Sequence, residues 1–289
     1  MNILVTGGTG YIGSNLVKIL LKEEHKVFLL KRKNSKSLVN DERVIEVLYD
    51  GTYCSLEKIN EKVDMIIHLA TCFLVNHKTE NIEDLLNANI LLGTHLLEYA
   101  SKHDIKDFIN TETYAESITG IEYNPQNLYS ATKKAFKDIL KYYVDSNKMR
   151  CISLVLSDTY GPNDVRKKFL NLVLEVLKSE NNEFKMSPGE QEICYIYIDD
   201  VITAYIEAIK LISKLEEKDL KTYSVFGNEI LTLNSLVELL EGLYNKKLKI
   251  EKGFYSYRLR EIMKFNYSSI ERLPNWSPKV SLKDGVKFI

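Results

Sequence analysis

The chain has 289 residues, of which 45% are hydrophobic, and its acidic and basic side chains nearly cancel at a formal net charge of −1. That length predicts one large domain plus a smaller lobe. The near-neutral charge argues against a nucleic-acid surface or a polybasic membrane anchor. No apolar run is long enough to span a bilayer, and the short apolar opening has no basic flank. We therefore expect a cytoplasmic protein that neither inserts into a membrane nor binds nucleic acid.

The cysteines are few and scattered. They show no CxxC spacing and no histidine cluster beside them, which argues against a zinc site or a disulfide framework. We expect reduced thiols and no metal. The positions are Cys54, Cys72, Cys151 and Cys194.

Short apolar runs alternate with amphipathic stretches through the first two-thirds of the chain. Strands separated by helices imply right-handed crossovers and a parallel sheet covered on both faces. The pattern predicts an α/β fold, a Rossmann doubly wound parallel sheet. The predicted strands are residues 3–5, 26–30, 44–48, 65–69, 108–110 and 151–156, and the predicted helices are residues 12–22, 87–101 and 130–146.

The pattern changes after Tyr160-Gly161-Pro162. A helix is predicted at 165–178. A strand at 195–198 is expected to return to the main sheet before a helix that opens at Asp199-Asp200, with acidic residues at its positive end. We expect the sheet domain to comprise residues 1–160 and 190–215. Residues 161–189 and 216–289 are then expected to form a smaller α+β substrate-binding lobe.

A glycine-rich turn follows the first predicted strand. Gly7, Gly10 and Gly13 lie between that strand and a helix, with Tyr11 and Ile12 opening the helix. Such glycines permit a tight turn, a close approach to a diphosphate, and close packing of helix on strand. The helix N-terminus adds free N–H groups for the phosphates. This context favours a dinucleotide site over a turn without a ligand.

Basic and hydroxyl side chains follow the second predicted strand, where the sequence reads Lys31-Arg32-Lys33-Asn34-Ser35. An NAD site usually places a carboxylate there for the ribose hydroxyls, and that carboxylate would repel the 2′-phosphate of NADP. Arg32, Lys33 and Ser35 suit the phosphate, so they predict NADP(H) as cofactor. The alternative is a solvated basic loop. Asp50, after the third strand, is a candidate for the adenine edge.

Tyr129 and Lys133 are four residues apart and share one face of a predicted helix. A cation beside a phenol lowers the pKa of the phenol, so Tyr129 could exchange a proton with a carbonyl or hydroxyl. A third donor is expected at the end of the fifth strand. Thr113 and Thr111 lie two apart and should point to one face. We favour Thr113 and keep Thr111 as the alternative.

These motifs together resemble the extended short-chain dehydrogenase/reductases, the NAD(P)-dependent epimerase/dehydratase superfamily. The resemblance covers nearly the whole chain and implies a nucleotide-sugar enzyme. Supporting segments are His68-Leu69-Ala70, Asn89 to Gly93-Thr94, Tyr160-Gly161-Pro162, Tyr197-Ile198-Asp199-Asp200-Val201 and Asn275-Trp276-Ser277-Pro278.

A narrower resemblance is to the CDP-abequose and CDP-paratose synthase group, whose members reduce the C4 ketone of a CDP-4-keto-3,6-dideoxyhexose with NADPH. It implies an NADPH-dependent ketoreductase of a nucleotide-linked keto sugar, acting in surface polysaccharide synthesis. The similar segments are 108–113, 128–134, 188–191, Tyr257-Arg258 and Glu261-Ile262-Met263.

The superfamily's roles imply that Tyr129 donates the proton while Lys133 holds the nicotinamide ribose and tunes Tyr129. Leu69 and Ala70 match residues that line the cofactor. Asp158 occupies a position where relatives often have a substrate-binding asparagine.

Arg258 matches an arginine that clamps the sugar-nucleotide diphosphate, a role suited to a planar charged fork; a surface cation is the alternative. Relatives commonly read Arg-Asp-Phe where this chain reads Ile193-Cys194-Tyr195. Arg260 or Lys168 could supply the missing diphosphate contact. The nucleotide stays open among CDP, GDP and dTDP.

Two other functions are compatible with these motifs. A 4-epimerase or a 4,6-dehydratase would recycle tightly held NAD. A dehydratase usually carries an Asp-Glu pair after its catalytic threonine. Here Glu112 follows Thr111, but Thr113 stands where the second carboxylate would be, and Thr113 itself is followed by Tyr114 and Ala115. That argues against dehydration and leaves 4-epimerisation open. A non-catalytic dinucleotide-binding scaffold is the third reading, although Tyr129 and Lys133 are intact.

The resemblance also implies a homodimer through helices 87–101 and 130–146. The alternative is that the apolar residues of these helices pack on the sheet. The residues that could supply the dimer face are Leu96, Tyr99, Phe136, Leu140 and Tyr143.

Overall fold

The computed structural model of the chain describes residues 1–37, 39–120 and 123–289. Its strands are β1 (Asn2–Thr6), β2 (Lys26–Lys31), β3 (Val44–Leu48), β4 (Met65–His68), β5 (Asp107–Thr113), β6 (Arg150–Leu156), β7 (Asp158–Tyr160), β8 (Glu183–Met186), β9 (Glu192–Tyr197), β10 (Leu220–Val225), β11 (Ile230–Thr232) and β12 (Lys249–Lys252). Its helices are α1 (Tyr11–Lys22), α2 (Ile82–Leu86), α3 (Leu92–Lys102), α4 (Leu128–Ser146), α5 (Phe169–Lys178), α6 (Ile198–Ile212), α7 (Leu233–Tyr244) and α8 (Leu282–Gly285). A π-turn, Asn87–Leu91, joins α2 to α3.

A seven-stranded parallel sheet forms the centre of the molecule, in the order β10-β6-β5-β4-β1-β2-β3. The six strands predicted from the apolar runs all lie in it, which confirms the Rossmann fold. The strand order reverses between β1 and β4, and such a switch point opens a crevice at the carboxyl ends of the strands. Ligands of doubly wound sheets bind there, so we expect the ligand site at that edge of the sheet.

Helices cover both faces of the sheet. One apolar core contains Leu16 of α1 and Val201 of α6. The other contains Leu96 of α3 and Phe136 of α4. The strands between them are apolar on both sides because neither face meets water.

The helices expected to pair two subunits turn most of their apolar side chains inward. Leu96, Tyr99, Phe136 and Leu140 are buried against the sheet, so the expectation that they form a dimer face is wrong. Their 3.6-residue spacing places them on the stripe that the sheet needs. Tyr142 on the outer side of α4 remains exposed.

Two strands lie in places that the sequence did not predict. The strand expected at 195–198 belongs to β9, which pairs with β7 and β11 in a separate three-stranded sheet, so the expected return to the main sheet is wrong. Instead α6 crosses the sheet face and delivers β10 to the free edge of β6. β10 therefore lies in the main sheet, although we had expected 216–289 to belong to the lobe. The division of the rest of the chain into a sheet domain and one smaller lobe stays a prediction.

Asp200 anchors the end of the chain to the sheet domain. Its buried carboxylate accepts hydrogen bonds from the Lys279 and Val280 N–H groups, both at 3.0 Å. The Trp276 indole N–H lies 3.0 Å from the hydroxyl oxygen of Thr203, one turn further along α6. The segments around Asp200 and Trp276, far apart in sequence, are thus joined by hydrogen bonds. No helix in the described residues is both long enough and apolar enough to cross a membrane.

We expect Asp200→Ala to lower the free energy of unfolding by about 3 kcal/mol, because two buried N–H groups lose a charged acceptor. Denaturant titration measures the change. Asp199→Ala is the matched control, since its side chain is exposed at the preceding position, and it should change stability by less than about 0.5 kcal/mol. Equal effects of the two substitutions would contradict this assignment.

Candidate active site

The glycine turn between β1 and α1 packs against the end of β4. Gly7 has a positive φ of +70°, and a Cβ there would lie 2.7 Å from the Ala70 nitrogen. A Cβ on Gly13 would lie 2.2 Å from the Gly7 carbonyl oxygen. α1 begins after Gly10 without a side-chain cap. Its first N–H groups are therefore available to an anion in the crevice.

Side chains that open α1 face away from the turn. The Tyr11 hydroxyl donates to the Pro162 carbonyl at 3.3 Å, and the Arg166 guanidinium stacks 4.6 Å from the Tyr11 ring centre. Ile12 packs against the core on the α1 side of the sheet. These contacts fix the start of α1, whose backbone N–H groups would meet a cofactor.

The cations after β2 separate into two groups. Lys31 forms an ion pair with Glu46 of β3 at 2.7 Å, so its ammonium is already engaged. Arg32 and Lys33 are exposed and form no ion pair with any described residue. The Ser35 N–H donates to the Arg32 carbonyl at 3.0 Å, which closes a turn.

Asp50 lies just beyond β3 with its carboxylate already engaged. It accepts from the Thr52 N–H at 2.9 Å and from the Thr52 hydroxyl at 2.6 Å. These hydrogen bonds hold the pKa of Asp50 below its usual value. Both hydrogen bonds go to Oδ1, and no described residue donates to the other oxygen, Oδ2.

Tyr129 and Lys133 lie in the first turns of α4, where Asn127 caps the helix by accepting from the Ser130 N–H at 3.0 Å. The residues are only 8% and 3% exposed. The Lys133 ammonium has no hydrogen-bond acceptor among the described residues. An ammonium on a nearly buried side chain keeps little contact with water, so the site is suited to a ligand that brings oxygen atoms to it.

The pKa of Tyr129 differs from the sequence-based prediction. Burial, and then the charge of Glu116, raise the pKa of the Tyr129 phenol well above its usual value. We had expected Lys133 to lower it. Burial also lowers the pKa of Lys133, against the opposing effects of two nearby carboxylates. Burial has the larger effect because the Tyr129 phenolate and the Lys133 ammonium both lose hydration inside the protein. The Tyr129 phenol therefore stays protonated in the free protein.

The two candidate threonines lie in different surroundings. The Thr111 hydroxyl lies 2.6 Å from the hydroxyl of Tyr205 on α6. Thr113 lies beside the Tyr129 phenol, as does Thr71, and both residues act to lower the pKa of the phenol. Both threonines lie within β5, two residues apart, so strand alternation keeps them on one face of the sheet. Geometry favours Thr113.

A loop after β4 supplies neighbours of Tyr129 that sequence reasoning missed. The Phe73 ring meets the Tyr129 ring edge-on at 4.9 Å, although 55% of Phe73 is exposed. Asn89, in the π-turn, fixes this loop by accepting from the Thr71 hydroxyl at 2.9 Å and from the Cys72 N–H at 2.8 Å. It also donates to Thr132 of α4 at 2.9 Å. In the sequence, only the segment from Asn89 to Gly93-Thr94, which resembles the superfamily, pointed to this contact.

Glu112 turns away from the cleft. Its carboxylate accepts from the Lys137 ammonium at 2.8 Å, and Lys137 also donates to Thr222 of β10 at 3.1 Å. The Glu112 side chain is buried in this ion pair. It therefore cannot serve as an acid or base toward a ligand beside Tyr129.

Two of the four predicted substrate residues are paired with each other. Asp158 accepts from Lys168 at 2.9 Å and from the Tyr114 hydroxyl at 2.7 Å. Although burial acts to raise it, Lys168 and Tyr114 hold the pKa of Asp158 below its usual value. Arg258 is half exposed and lies 4.0 Å from Glu261. Arg260 donates to the Pro125 carbonyl at 2.7 Å, so it ties two loops together.

Comparison with known proteins gives consistent relatives. The model of the NAD dependent epimerase/dehydratase family matches residues 3–224. The chain is 28% identical to a CDP-abequose synthase of Yersinia pseudotuberculosis, over 92% of both chains. It is 29% identical to a CDP-abequose synthase of Salmonella muenchen, over 99% of this chain and 95% of that one.

Solved structures share the fold. A UDP-glucuronic acid 4-epimerase from Bacillus cereus, in complex with UDP-glucuronic acid and NAD, superposes with a TM-score of 0.85 at 22% identity, over 100% of this chain and 97% of that chain. A UDP-glucose 4-epimerase from Thermotoga maritima, with UDP-glucose, gives 0.83 at 23% identity over the same shares. At this identity the likeness establishes the architecture alone.

Proposed function

Because the chain belongs to the NAD dependent epimerase/dehydratase family, we propose that it is an NADPH-dependent C4 ketoreductase. The substrate would be a nucleoside-diphosphate-linked 4-keto-3,6-dideoxy sugar, CDP- or GDP-linked, used in surface polysaccharide synthesis. The observation that carries this proposal is that Tyr114 and Ala115 follow Thr113, where a dehydratase would need its Asp-Glu pair. Glu112, on the other side of Thr113, is held in its ion pair with Lys137 and is not offered to a ligand. The cleft therefore keeps the hydroxyl of Thr113 beside Tyr129 and lacks the pair of carboxylates that dehydration would need. The similarity to CDP-abequose synthases supports the same reaction.

The residues around the crevice suit a dinucleotide. The uncapped start of α1 would hold its diphosphate, and the unpaired Lys133 ammonium would hold the nicotinamide ribose. Arg32 and Lys33 would bind a 2′-phosphate. A bound NADPH would supply the hydride that reduces the C4 carbonyl.

Tyr129 would give its phenolic proton to the C4 oxygen as the hydride reaches C4. Thr113 would donate a hydrogen bond to the same oxygen and hold it in line with the phenol. The raised pKa of Tyr129 suits this direction, because a reductase needs the protonated phenol at the start of turnover. Lys133 would stabilise the phenolate that remains.

Phe73 supports a deoxygenated substrate. Its exposed ring stands next to Tyr129 and offers no hydrogen-bond partner. A sugar carbon that bears a hydroxyl would lose a water partner against this ring, whereas a deoxygenated carbon would bury apolar surface there.

The substrate's charged end would lie farther out. The Asp158–Lys168 pair would contact the sugar side of the cleft, and Arg258 would reach the diphosphate. We also propose a homodimer in which the outer faces of α3 and α4 meet a second subunit, together with the exposed side chains of Leu91, just before α3, and Tyr142 on α4.

NADPH consumption with CDP-, GDP- and dTDP-linked 4-keto-deoxy sugars tests the proposed reaction. The wild type should oxidise NADPH in stoichiometric amounts with one of them. Tyr129→Phe should still bind NADPH and lose turnover about 100-fold or more. Wild-type rates in the variant would refute the role of Tyr129. Turnover that needs only catalytic NAD would identify an epimerase, and NADPH binding without turnover a scaffold.

The double substitution Arg32→Ala/Lys33→Ala should weaken NADPH binding about tenfold or more and leave NADH binding nearly unchanged, because only NADPH carries the 2′-phosphate. Cofactor fluorescence titration measures both. Lys36→Ala is the control, since Lys36 is an exposed cation of the same loop. A uniform loss for both cofactors would argue against a 2′-phosphate site.

The two threonines should separate in kinetics. Thr113→Val should lower kcat about 100-fold, because a donor to the reacting oxygen is lost. Thr111→Val should leave kcat within about threefold and cost about 1 kcal/mol of stability, because it removes a buried partner of Tyr205. The reverse order in steady-state rates would make Thr111 the catalytic threonine.

A further inference from the structure

The Asn89 side-chain amide uses all of its hydrogen-bonding capacity inside the protein. It lies in the π-turn between α2 and α3 and is fully buried. Its Oδ1 accepts from the Thr71 hydroxyl at 2.9 Å and from the Cys72 N–H at 2.8 Å. Its Nδ2 donates to the Cys72 carbonyl at 3.1 Å and to the Thr132 hydroxyl oxygen at 2.9 Å. A shorter or an apolar side chain could not supply two acceptor and two donor positions.

These hydrogen bonds connect the loop after β4 to the helical turn that carries Tyr129. The Cys72 carbonyl belongs to the peptide that leads into Phe73, so Asn89 fixes the backbone on which that ring stands. Thr132 in turn donates to the Tyr129 carbonyl at 2.7 Å. One buried amide thus holds the backbone beside both rings, which meet edge-on with their centres 4.9 Å apart. Because buried polar groups are costly to leave unpaired, we expect this spacing to be rigid.

Phe73 lies on the solvent side of Tyr129. It is 55% exposed, whereas Lys133, one turn further along α4, is 3% exposed. In the proposed function Lys133 holds the cofactor on the buried side, so a sugar that enters from solvent would meet Phe73. The ring presents only carbon atoms, and it stands beside the residue that would protonate the C4 oxygen. It is therefore placed to contact the sugar at a carbon next to C4.

We propose that Phe73 is a specificity-determining residue that selects a deoxygenated C3, and that Asn89 is the positioning residue that holds it in place. The inference rests on the proposed function and deepens it. A methylene group at C3 would bury apolar surface against the ring, whereas a hydroxyl would lose a hydrogen bond to water that the ring cannot replace. An apolar surface of this kind rejects an added hydroxyl by about 10- to 100-fold.

The experiment compares kcat/KM for two substrates on the same nucleotide that differ only in the C3 hydroxyl, a 4-keto-6-deoxy sugar and a 4-keto-3,6-dideoxy sugar. The wild type should favour the dideoxy sugar by about 10- to 100-fold. Phe73→Gln, which places a polar side chain at this position, should bring the ratio to within about threefold of one. Phe73→Leu, the apolar control, should retain at least about a third of the wild-type ratio.

An unchanged ratio in Phe73→Gln would overturn the role of Phe73. If NADPH affinity fell in that variant while the ratio stayed the same, the ring would cover the cofactor instead of the sugar, and the proposal would be wrong.

Asn89→Ala tests the positioning role. A merely structural loss would lower kcat/KM for both sugars by one factor and leave their ratio unchanged, and that result would overturn the role of Asn89. Release of Phe73 should instead lower the ratio about threefold or more. Thr94→Ala is the matched control, because the Thr94 hydroxyl donates to the Ile90 carbonyl of the same helical segment at 2.9 Å. It should leave the ratio unchanged.

Thr132→Val removes one of the four hydrogen bonds of Asn89 and serves as the milder variant where Asn89→Ala does not fold. It should lower the ratio in the same direction by a smaller factor, and an unchanged ratio would again count against the positioning role.

A further measurement needs no turnover. Tyr129→Phe should bind both sugars without reducing them, so the ratio of their dissociation constants reports selection by Phe73 alone. That ratio should favour the dideoxy sugar, and addition of Phe73→Gln should remove the preference. Equal dissociation constants in Tyr129→Phe would overturn the proposal. A wild type that reduces neither sugar would overturn the proposed function, and the binding ratio would still decide the role of Phe73. Binding of neither sugar would overturn both.

Discussion

The Lys133 ammonium lies inside the protein at the carboxyl edge of the sheet, and no described residue accepts a hydrogen bond from it. Removing an ammonium group from water costs several kcal/mol unless other charges or ligands compensate. Glu116 and Glu112 provide part of that compensation through their charges, but neither forms a hydrogen bond to the ammonium. A cofactor whose ribose supplies the missing oxygen atoms would complete the site.

The fold accounts for the position of this lysine. The reversal of strand order between β1 and β4 opens the crevice, the glycine turn brings α1 to one side of it, and the Asn127 cap starts α4 on the other. Asn89 then ties the loop after β4 to α4, so that the surroundings of Tyr129 are fixed from two directions. Tyr129 thus lies in a rigid, largely dry setting, where burial determines which protonation state it adopts.

Local sequence patterns were sufficient for most of the sheet and for the central residues of the site. Continuous apolar runs identified six parallel strands, and the Gly7, Gly10 and Gly13 spacing placed the crevice. The positions of β9 and β10 could not be predicted in this way, because strand partners are chosen by contacts between distant segments. β10 pairs with the edge of β6 only because α6 carries the chain back across the sheet.

The surroundings of individual side chains were the other limit. Alternation along a strand predicted that Thr111 and Thr113 would share a face, but it could not predict that Thr111 contacts the Tyr205 hydroxyl while Thr113 lies beside Tyr129. Sequence reasoning also gave the wrong direction for the pKa of Tyr129, because burial and the charge of Glu116 are properties of the folded chain. Phe73 carries no motif, so only its contacts reveal it.

A crystal structure of the complex with NADPH would test the central claim most directly. The account predicts that the Lys133 ammonium donates hydrogen bonds to the nicotinamide ribose and that the Tyr129 hydroxyl lies beside the nicotinamide ring. A complex in which Lys133 stays without a ligand oxygen, or in which the nicotinamide lies away from Tyr129, would contradict it.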